Sequence, residues 1–230
     1  TGMMLECRNL TKTYRGKKAV SNLSIRLDAG KIYGLLGENG SGKTTWMKMA
    51  AGLTKPSQGE IIYEGHLLGY RDKSEIAYMS TESFFYDYMK VEDVGKYYAD
   101  FFEDFDEKKF EELIRRFGLE DSLRARNLSS GMNAKLRIAA TLSRDARLCM
   151  LDEPLNGVDY KAREDIISLI LEEADENRTF VISTHLIEEV ETFIEEAIFI
   201  RNGELVKLIN LEQERAAGGR SLAEIYLSVM

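Results

Sequence analysis

The sequence predicts an α/β protein in which helices cover both faces of a parallel sheet. Three observations support this fold class. Short apolar strands alternate with helical patterns in the last third of the chain, as in parallel sheets. Strand-like segments dominate the first third, which predicts a part of the chain rich in β-structure. Between them, residues 91–119 carry apolar side chains at a spacing of three to four, which predicts an inserted helical subdomain.

The elements follow in order. Alternating apolar and polar side chains, or short apolar runs, predict strands at 4–9, 19–27, 32–36, 60–63 and 76–79, with Tyr14 in a polar turn at 11–18. Helical spacing predicts helices at 46–53, within 91–119 as a pair ending at Gly118, and after Ser129 as far as about Ser143. Strands are then predicted at 148–151, 179–183, 197–200 and 205–208. Helices are predicted at 161–174, with Ile166, Ile167, Ile170 and Leu171 inward, at 186–193, and within 211–230.

We divide the chain into an α/β core with its β subdomain (1–85 and 145–210), a helical subdomain (86–144) and a helical tail (211–230). The 230 residues, 44% hydrophobic and 30% charged, suit one domain with an insertion.

A formal net charge of −8 disfavours nonspecific nucleic-acid binding, so no nucleic-acid partner is expected. No signal-peptide pattern or apolar run near the ~20 residues of a membrane span is seen, which predicts a cytoplasmic chain. Cys7 and Cys149 fall in predicted strands and are interpreted as buried thiols.

The segment 37–45 reads GENGSGKTT and fits the phosphate-loop pattern Gly-x4-Gly-Lys-Ser/Thr. It lies between a predicted strand and a predicted helix, where backbone N–H groups and the helix dipole favour an anion. Lys43 adds a cation for the outer phosphates, and the Thr44 hydroxyl can bind Mg²⁺. We therefore predict a nucleotide site at Gly37, Asn39, Gly40, Ser41, Gly42, Lys43, Thr44 and Thr45; the plain alternative is a Gly-rich turn before a helix.

Two acids follow the buried strand at 148–151. Asp152 and Glu153 stand at its carboxyl end, which is where phosphate-loop enzymes place metal-binding and basic groups. We expect Asp152 to hold Mg²⁺ through water and Glu153 to act as general base toward the attacking water. Without the phosphate loop, two acids in a turn before Pro154 would be an equally good interpretation.

With the phosphate loop and the acid pair in place, Asn127-Leu128-Ser129-Ser130-Gly131-Met132 resembles the LSGGQ signature of ATP-binding-cassette ATPases. The resemblance runs from Tyr14 to about Gly203, with the motifs in the family's order. It implies a P-loop NTPase (RecA-like) core with an N-terminal antiparallel β subdomain and an inserted α-helical subdomain. It also implies the role of ATP-binding subunit in an ABC transporter, with ATP and Mg²⁺ as cofactors. Phosphate loops occur in many enzymes, so the signature is the more specific motif.

The resemblance assigns further residues. Tyr14 would stack on adenine, while Ser129 and Gly131 would contact the γ-phosphate bound by the opposing subunit. Residues 155–159, ending at Asp159, resemble the D-loop along the dimer seam, and His185 resembles the switch that contacts the γ-phosphate. The plain alternatives are a turn aromatic for Tyr14, a cap for Ser129 and a capping histidine for His185.

Two positions depart from the family pattern. Thr81 stands where the family has a Gln that touches Mg²⁺, so we assign Thr81 to the metal site as a shorter ligand. Ser130 stands at the usual first Gly of the signature, where a Cβ either narrows the approach to phosphate or is harmless in a helical backbone.

The implied function is ATP hydrolysis in a head-to-tail homo- or heterodimer that drives a separate membrane permease from the inner face of the membrane. The lack of a C-terminal regulatory domain leans toward export. The permease would grip the segment after Thr81, including an aromatic cluster at Phe84, Phe85, Tyr86 and Tyr88, for which local packing is an equal alternative. Alternative functions are a soluble ABC-type ATPase acting on nucleic acid or ribosomes, a small-molecule kinase, and a weakly hydrolysing ATP-gated regulatory subunit.

Overall fold

The structure, a computed structural model, describes residues 2–230 as two sheets with surrounding helices. The strands are β1 (Met3–Tyr14), β2 (Lys17–Asp28), β3 (Ile32–Leu36), β4 (Gln58–Tyr63), β5 (His66–Leu67), β6 (Ile76–Met79), β7 (Leu148–Asp152), β8 (Thr179–Thr184), β9 (Glu196–Arg201) and β10 (Glu204–Asn210). The α-helices are α1 (Lys43–Ala50), α2 (Val91–Phe101), α3 (Glu107–Arg116), α4 (Ser130–Leu142), α5 (Tyr160–Glu173), α6 (Ile187–Val190), α7 (Leu211–Ala216) and α8 (Leu222–Val229). Short 3-10 turns lie at Tyr70–Glu75 and Ala125–Asn127.

The two sheets confirm the predicted α/β class. The larger has the order β10-β9-β3-β8-β7-β6, in which β9, β3, β8, β7 and β6 are parallel and β10 is an antiparallel edge. The smaller, β2-β1-β4-β5, is antiparallel throughout. Because parallel strands end at one edge of a sheet, the segments after β3, β6, β7 and β8 meet there.

The larger sheet separates two hydrophobic cores. All residues of β3, β7 and β8 are buried, as expected for strands covered on both faces. Alternate side chains of β8 illustrate the division. Val181 packs with α1 and the antiparallel sheet, and Ile182 packs with α2 to α5. The helix that follows the phosphate loop and the helix that begins at the signature therefore belong to different cores.

Most predicted elements are present, with three corrections. The predicted polar turn at 11–18 is wrong, because β1 continues to Tyr14 and only Arg15 and Gly16 turn the chain, both at positive φ. Leu171 is 49% exposed rather than inward, and Leu169 takes the buried place on α5. The helix predicted at 186–193 is a single turn, α6.

Two further features bear on function. Cys7 and Cys149 are free and buried, as predicted. Within residues 2–230, none of the helices combines the length and apolar character that crossing a bilayer requires.

Candidate nucleotide-binding site

The phosphate loop joins the end of β3 to the start of α1, and its backbone requires glycine. Gly42 has φ 107°, and a Cβ added there would lie 2.6 Å from the carbonyl oxygen of Ala19. A Cβ on Gly37 would lie 2.4 Å from the carbonyl oxygen of Ile200. Gly42 caps α1 without a side-chain hydrogen bond, so the first N–H groups of the helix are available to an anion.

The Ser41 hydroxyl in the loop has no hydrogen-bond partner among the described residues. The hydroxyl oxygen of Ser41 is buried. Buried hydroxyls are normally satisfied, so this atom is an uncommitted hydrogen-bonding group beside the N-terminus of α1. Together with the free helix N-terminus, it fits a bound phosphate.

Lys43 points back into the loop. Its side chain is 5% exposed, and Nζ donates to the carbonyl oxygens of Gly37 (2.5 Å) and Glu38 (3.0 Å). Burial lowers the pKa of Lys43, while the charge of Glu153, with Oε1 3.5 Å from Nζ, opposes that shift. The loop thus holds a desolvated cation at the place where an oxyanion would be bound.

Asp152 is fully buried at the end of β7 and is held by three hydroxyl groups. Thr44 donates to Oδ2 at 2.7 Å, Tyr78 donates to the same oxygen at 3.0 Å, and Ser183 donates to Oδ1 at 2.6 Å. The Thr44 hydroxyl and the Asp152 carboxylate are hard oxygen donors and fit Mg²⁺ bound jointly with phosphates. The described part of the chain holds no group of three acid, His or Cys side chains suited to a metal.

Glu153 adopts a left-handed backbone, with φ 49°. Its N–H donates to the carbonyl oxygen and to Oγ of Ser183 (3.2 and 3.0 Å), and its carboxylate lies 3.1 Å from Nδ1 of His185. A non-Gly residue in this region costs about 1–2 kcal/mol. This backbone conformation places the Glu153 carboxylate, which is 10% exposed, between Lys43 and His185.

Lys43, Thr44 and Glu153 border a cavity of about 470 Å³, large enough for part of a nucleotide. It is lined by Tyr14, Lys17, Lys18, Ala19, Asn39, Gly40, Gly42, Lys43, Thr44, Thr45, Thr81, Glu153 and Asn202. Tyr14, the loop, Thr81 and Glu153 are thus brought together; their roles remain predictions. Sequence reasoning missed Lys17, Lys18 and Asn202. The lysine pair beside Tyr14 was a readable signal, whereas Asn202 depends on β9 lying beside β3.

The other predicted site residues lie outside this cavity. Ser129 is exposed and caps α4, accepting from the N–H of Met132 at 3.2 Å. Asp159 caps α5 in the same way, accepting from the N–H of Ala162 at 2.9 Å. A Cβ added to Gly131 would lie 3.4 Å from Oδ2 of Asp159, so the signature and the D-loop segment are adjacent.

The departure at Ser130 has a structural role. Ser130 is the first residue of α4, and its hydroxyl donates to the carbonyl oxygen of Gly157 at 2.8 Å. The helical backbone accommodates the Cβ, and the hydroxyl ties the signature to residues 155–159.

A second cavity, the aromatic groove, lies on the side of β6 and has a volume of about 380 Å³. It is lined by Ala51, Leu53, Lys73, Ile76, Tyr78, Phe84, Tyr97, Tyr98, Phe101, Phe102 and Arg144. Phe84 is 52% exposed, and the rings of Tyr86 and Tyr88 stack nearby with centroids 5.5 Å apart. Phe85 is 6% exposed and packs in the core, so its assignment to a partner surface is wrong.

Comparisons with known proteins agree with this geometry. A family model described as ABC transporter matches residues 20–156. The chain is 34% identical over 218 residues to the uncharacterised ABC transporter ATP-binding protein YcbN of Bacillus subtilis (strain 168), covering 92% of this chain and 71% of that protein. It is 32% identical over 225 residues to the lantibiotic transport ATP-binding protein SrtF of Streptococcus pyogenes, covering 97% and 96%. A solved ATP-binding subunit of an ABC transporter superposes with a TM-score of 0.86 at 25% identity, covering 98% of this chain and 99% of that one.

Proposed function

Because the chain belongs to the ABC transporter family, as its motifs indicated, we propose that it powers a membrane permease carried on a separate polypeptide. The family's cassettes bind and hydrolyse ATP, and this chain is the ATP-binding subunit. The observation that carries the proposal is the meeting of Lys43, Thr44, Asp152 and Glu153 at one edge of the sheet.

The loop N–H groups and Lys43 bind the β- and γ-phosphates. Thr44 and Asp152, with Thr81 at the rim, would hold Mg²⁺, which supplies charge neutralisation at the phosphates. Glu153 accepts a proton from water as the water oxygen attacks the γ-phosphorus. The bond to the bridging oxygen breaks, and ADP and phosphate result. His185, 3.1 Å from Glu153, orients that carboxylate.

The signature residues act on a second copy of the ATPase subunit. Ser129 is exposed at the start of α4, a helix of 13 residues, whose N–H groups and dipole favour an anion. In a head-to-tail dimer, Ser129 and Gly131 of one copy cover the triphosphate held by Lys43 of the other, with Asp159 at the seam. ATP then binds the closed dimer more tightly than the open one, which drives closure, and hydrolysis removes this advantage.

The permease docks on the aromatic groove and the exposed rings of Phe84, Tyr86 and Tyr88. Contiguous exposed apolar surface is typical of interaction sites. Docking there places this subunit on the inner face of the membrane. The similarity to a lantibiotic transport protein supports export of a peptide as the direction and cargo.

Glu153→Gln tests the proposal. The substitution keeps shape and hydrogen bonding but removes the base, so hydrolysis should fall by about 100-fold or more while ATP binding persists. With ATP and Mg²⁺, the variant should elute as a dimer in size exclusion, and the unmodified protein as a monomer. Glu112→Gln, on an exposed face of α3, is the matched control. Normal turnover by Glu153→Gln would refute the base, and a monomer in ATP would refute the sandwich.

A further inference from the structure

One side chain, Tyr78, links the aromatic groove to Asp152, the carboxylate proposed to hold Mg²⁺. This residue lies on β6, the edge strand that pairs in parallel with β7 through Tyr78 and Met150. Its hydroxyl donates to Oδ2 of Asp152 at 3.0 Å, the oxygen that also accepts from Thr44 at 2.7 Å. The same side chain lines the aromatic groove beside Phe84, Tyr97 and Tyr98.

Tyr78 therefore connects the lining of the aromatic groove to the carboxylate at the end of β7. A partner side chain that enters the groove contacts Tyr78. The Tyr78 hydroxyl is hydrogen-bonded to Asp152, the buried carboxylate proposed to hold Mg²⁺. The orientation of the Asp152 carboxylate is restricted, because its other oxygen accepts a hydrogen bond from Ser183 at 2.6 Å and its side chain is fully buried. A displacement of the Tyr78 hydroxyl therefore changes the hydrogen bonding of the oxygen that Asp152 shares with Thr44.

A second group strengthens the connection. Arg137 lies on α4, and one of its guanidinium nitrogens, Nη2, is buried without a hydrogen-bond partner within residues 2–230. Burial lowers the pKa of Arg137, whereas the nearby Tyr98, Asp152 and Tyr78 oppose that shift. The signature helix therefore brings a desolvated cation close enough to Asp152 and Tyr78 to feel their charges.

We propose that Tyr78 is a positioning residue that couples occupation of the aromatic groove to the metal-binding carboxylate Asp152. The proposal rests on the proposed function, in which the permease occupies the groove and Mg·ATP occupies the pocket. Thr81, at the family's Gln position, is exposed at the rim of the pocket and is absent from the groove lining. Tyr78 belongs to the groove lining and contacts Asp152 directly, so it supplies a link that Thr81 does not.

The chain offers a specific test, since it has a single tryptophan and two buried cysteines. Trp46 is fully buried on α1, two residues after Thr44, and reports on the loop by fluorescence. Cys7 and Cys149 are 1% and 0% exposed, so a surface cysteine can be modified selectively. Leu53→Cys, at a groove position that is 58% exposed, is modified with N-benzylmaleimide to fill the groove. Glu112→Cys with the same reagent is the control.

The quantity measured is the Mg²⁺ concentration that gives half of the Trp46 signal change at saturating ATP, and also half of the maximal hydrolysis rate. Groove modification should shift it by about twofold to tenfold, the effect of altering one hydrogen bond. In the Tyr78→Phe background, which keeps the ring but removes the hydroxyl, the shift should disappear. Modified Glu112→Cys should show no shift in either background.

An equal shift with Tyr78 and with Phe at this position would assign the link to another route and overturn the proposal. The absence of a shift in the protein that retains Tyr78 would overturn it as well. Equilibrium dialysis with ATP separates these outcomes from failure of the proposed function. A chain that does not bind ATP at all contradicts that function, whereas one that binds ATP without groove dependence contradicts only the coupling.

Discussion

Nζ of Lys43 lies 3.5 Å from Oε1 of Glu153, with both side chains at most 10% exposed. The pair places the cation proposed for the phosphates beside the carboxylate proposed as general base. Removing one partner of such a buried pair destabilises the protein, because the remaining charge is left desolvated and unpaired. The two roles are therefore linked, and changing either residue alters the electrostatic surroundings of the other.

Lys43→Met should weaken ATP binding by about 10- to 100-fold, because hydrogen bonds to a charged group are lost with the ammonium. Hydrolysis should fall below detection. Equilibrium dialysis measures affinity, and phosphate release measures turnover. Lys108→Met, which removes an exposed lysine of α3, should leave both unchanged. Undiminished ATP affinity in Lys43→Met would show that the loop binds phosphate without its cation.

Ser129→Arg should prevent ATP-dependent dimerisation in a Glu153→Gln background while ATP affinity of the single subunit persists, since Ser129 lies outside the subunit's own pocket. Size exclusion and equilibrium dialysis provide the two measurements. Losing a serine cap costs about 1 kcal/mol, so Ser221→Ala, which removes the cap of α8, is the matched control for stability. A dimer that survives Ser129→Arg would contradict the head-to-tail arrangement.

Thr81→Gln should lower the Mg²⁺ concentration needed for half-maximal hydrolysis by about threefold. The longer side chain brings a carbonyl oxygen toward the metal, and Mg²⁺ prefers oxygen ligands. Thr81→Ala should raise the same concentration. If neither substitution changes it, position 81 contributes no ligand to the metal and our assignment of Thr81 fails.

Phe84→Glu and Phe85→Glu should have opposite consequences. Phe84 is 52% exposed, so its replacement should leave the melting temperature nearly unchanged and reduce co-purification with a permease. Phe85 is 6% exposed, and replacing it should destabilise the fold by about 3–5 kcal/mol or more, since packing is lost and a charge is buried. Normal permease capture by Phe84→Glu would remove the aromatic groove from the docking surface.

Local sequence was sufficient for features that depend on neighbours along the chain. The strand before Gly37 and the acids after Leu151 were predictable because a buried strand, a turn and a polar end are all visible in a short window. Their meeting at one edge followed from the parallel strand order.

Other contacts depend on which strands become neighbours, which periodicity does not reveal. The hydrogen bond from Tyr78 to Asp152 requires β6 beside β7, and Asn202 reaches the pocket only because β9 lies beside β3. The inward face of α5 was predicted to include Leu171, two positions after the buried Leu169, because a helix with apolar residues on several sides does not identify the side that packs.

The left-handed backbone at Glu153 carries a lesson for engineering. Glycine would relieve the conformation, and selection for heat resistance alone would favour it there, yet the carboxylate would vanish with the exchange. Substitutions that raise the thermostability of this ATPase should therefore be sought at other positions, and the strained Glu153 should be kept.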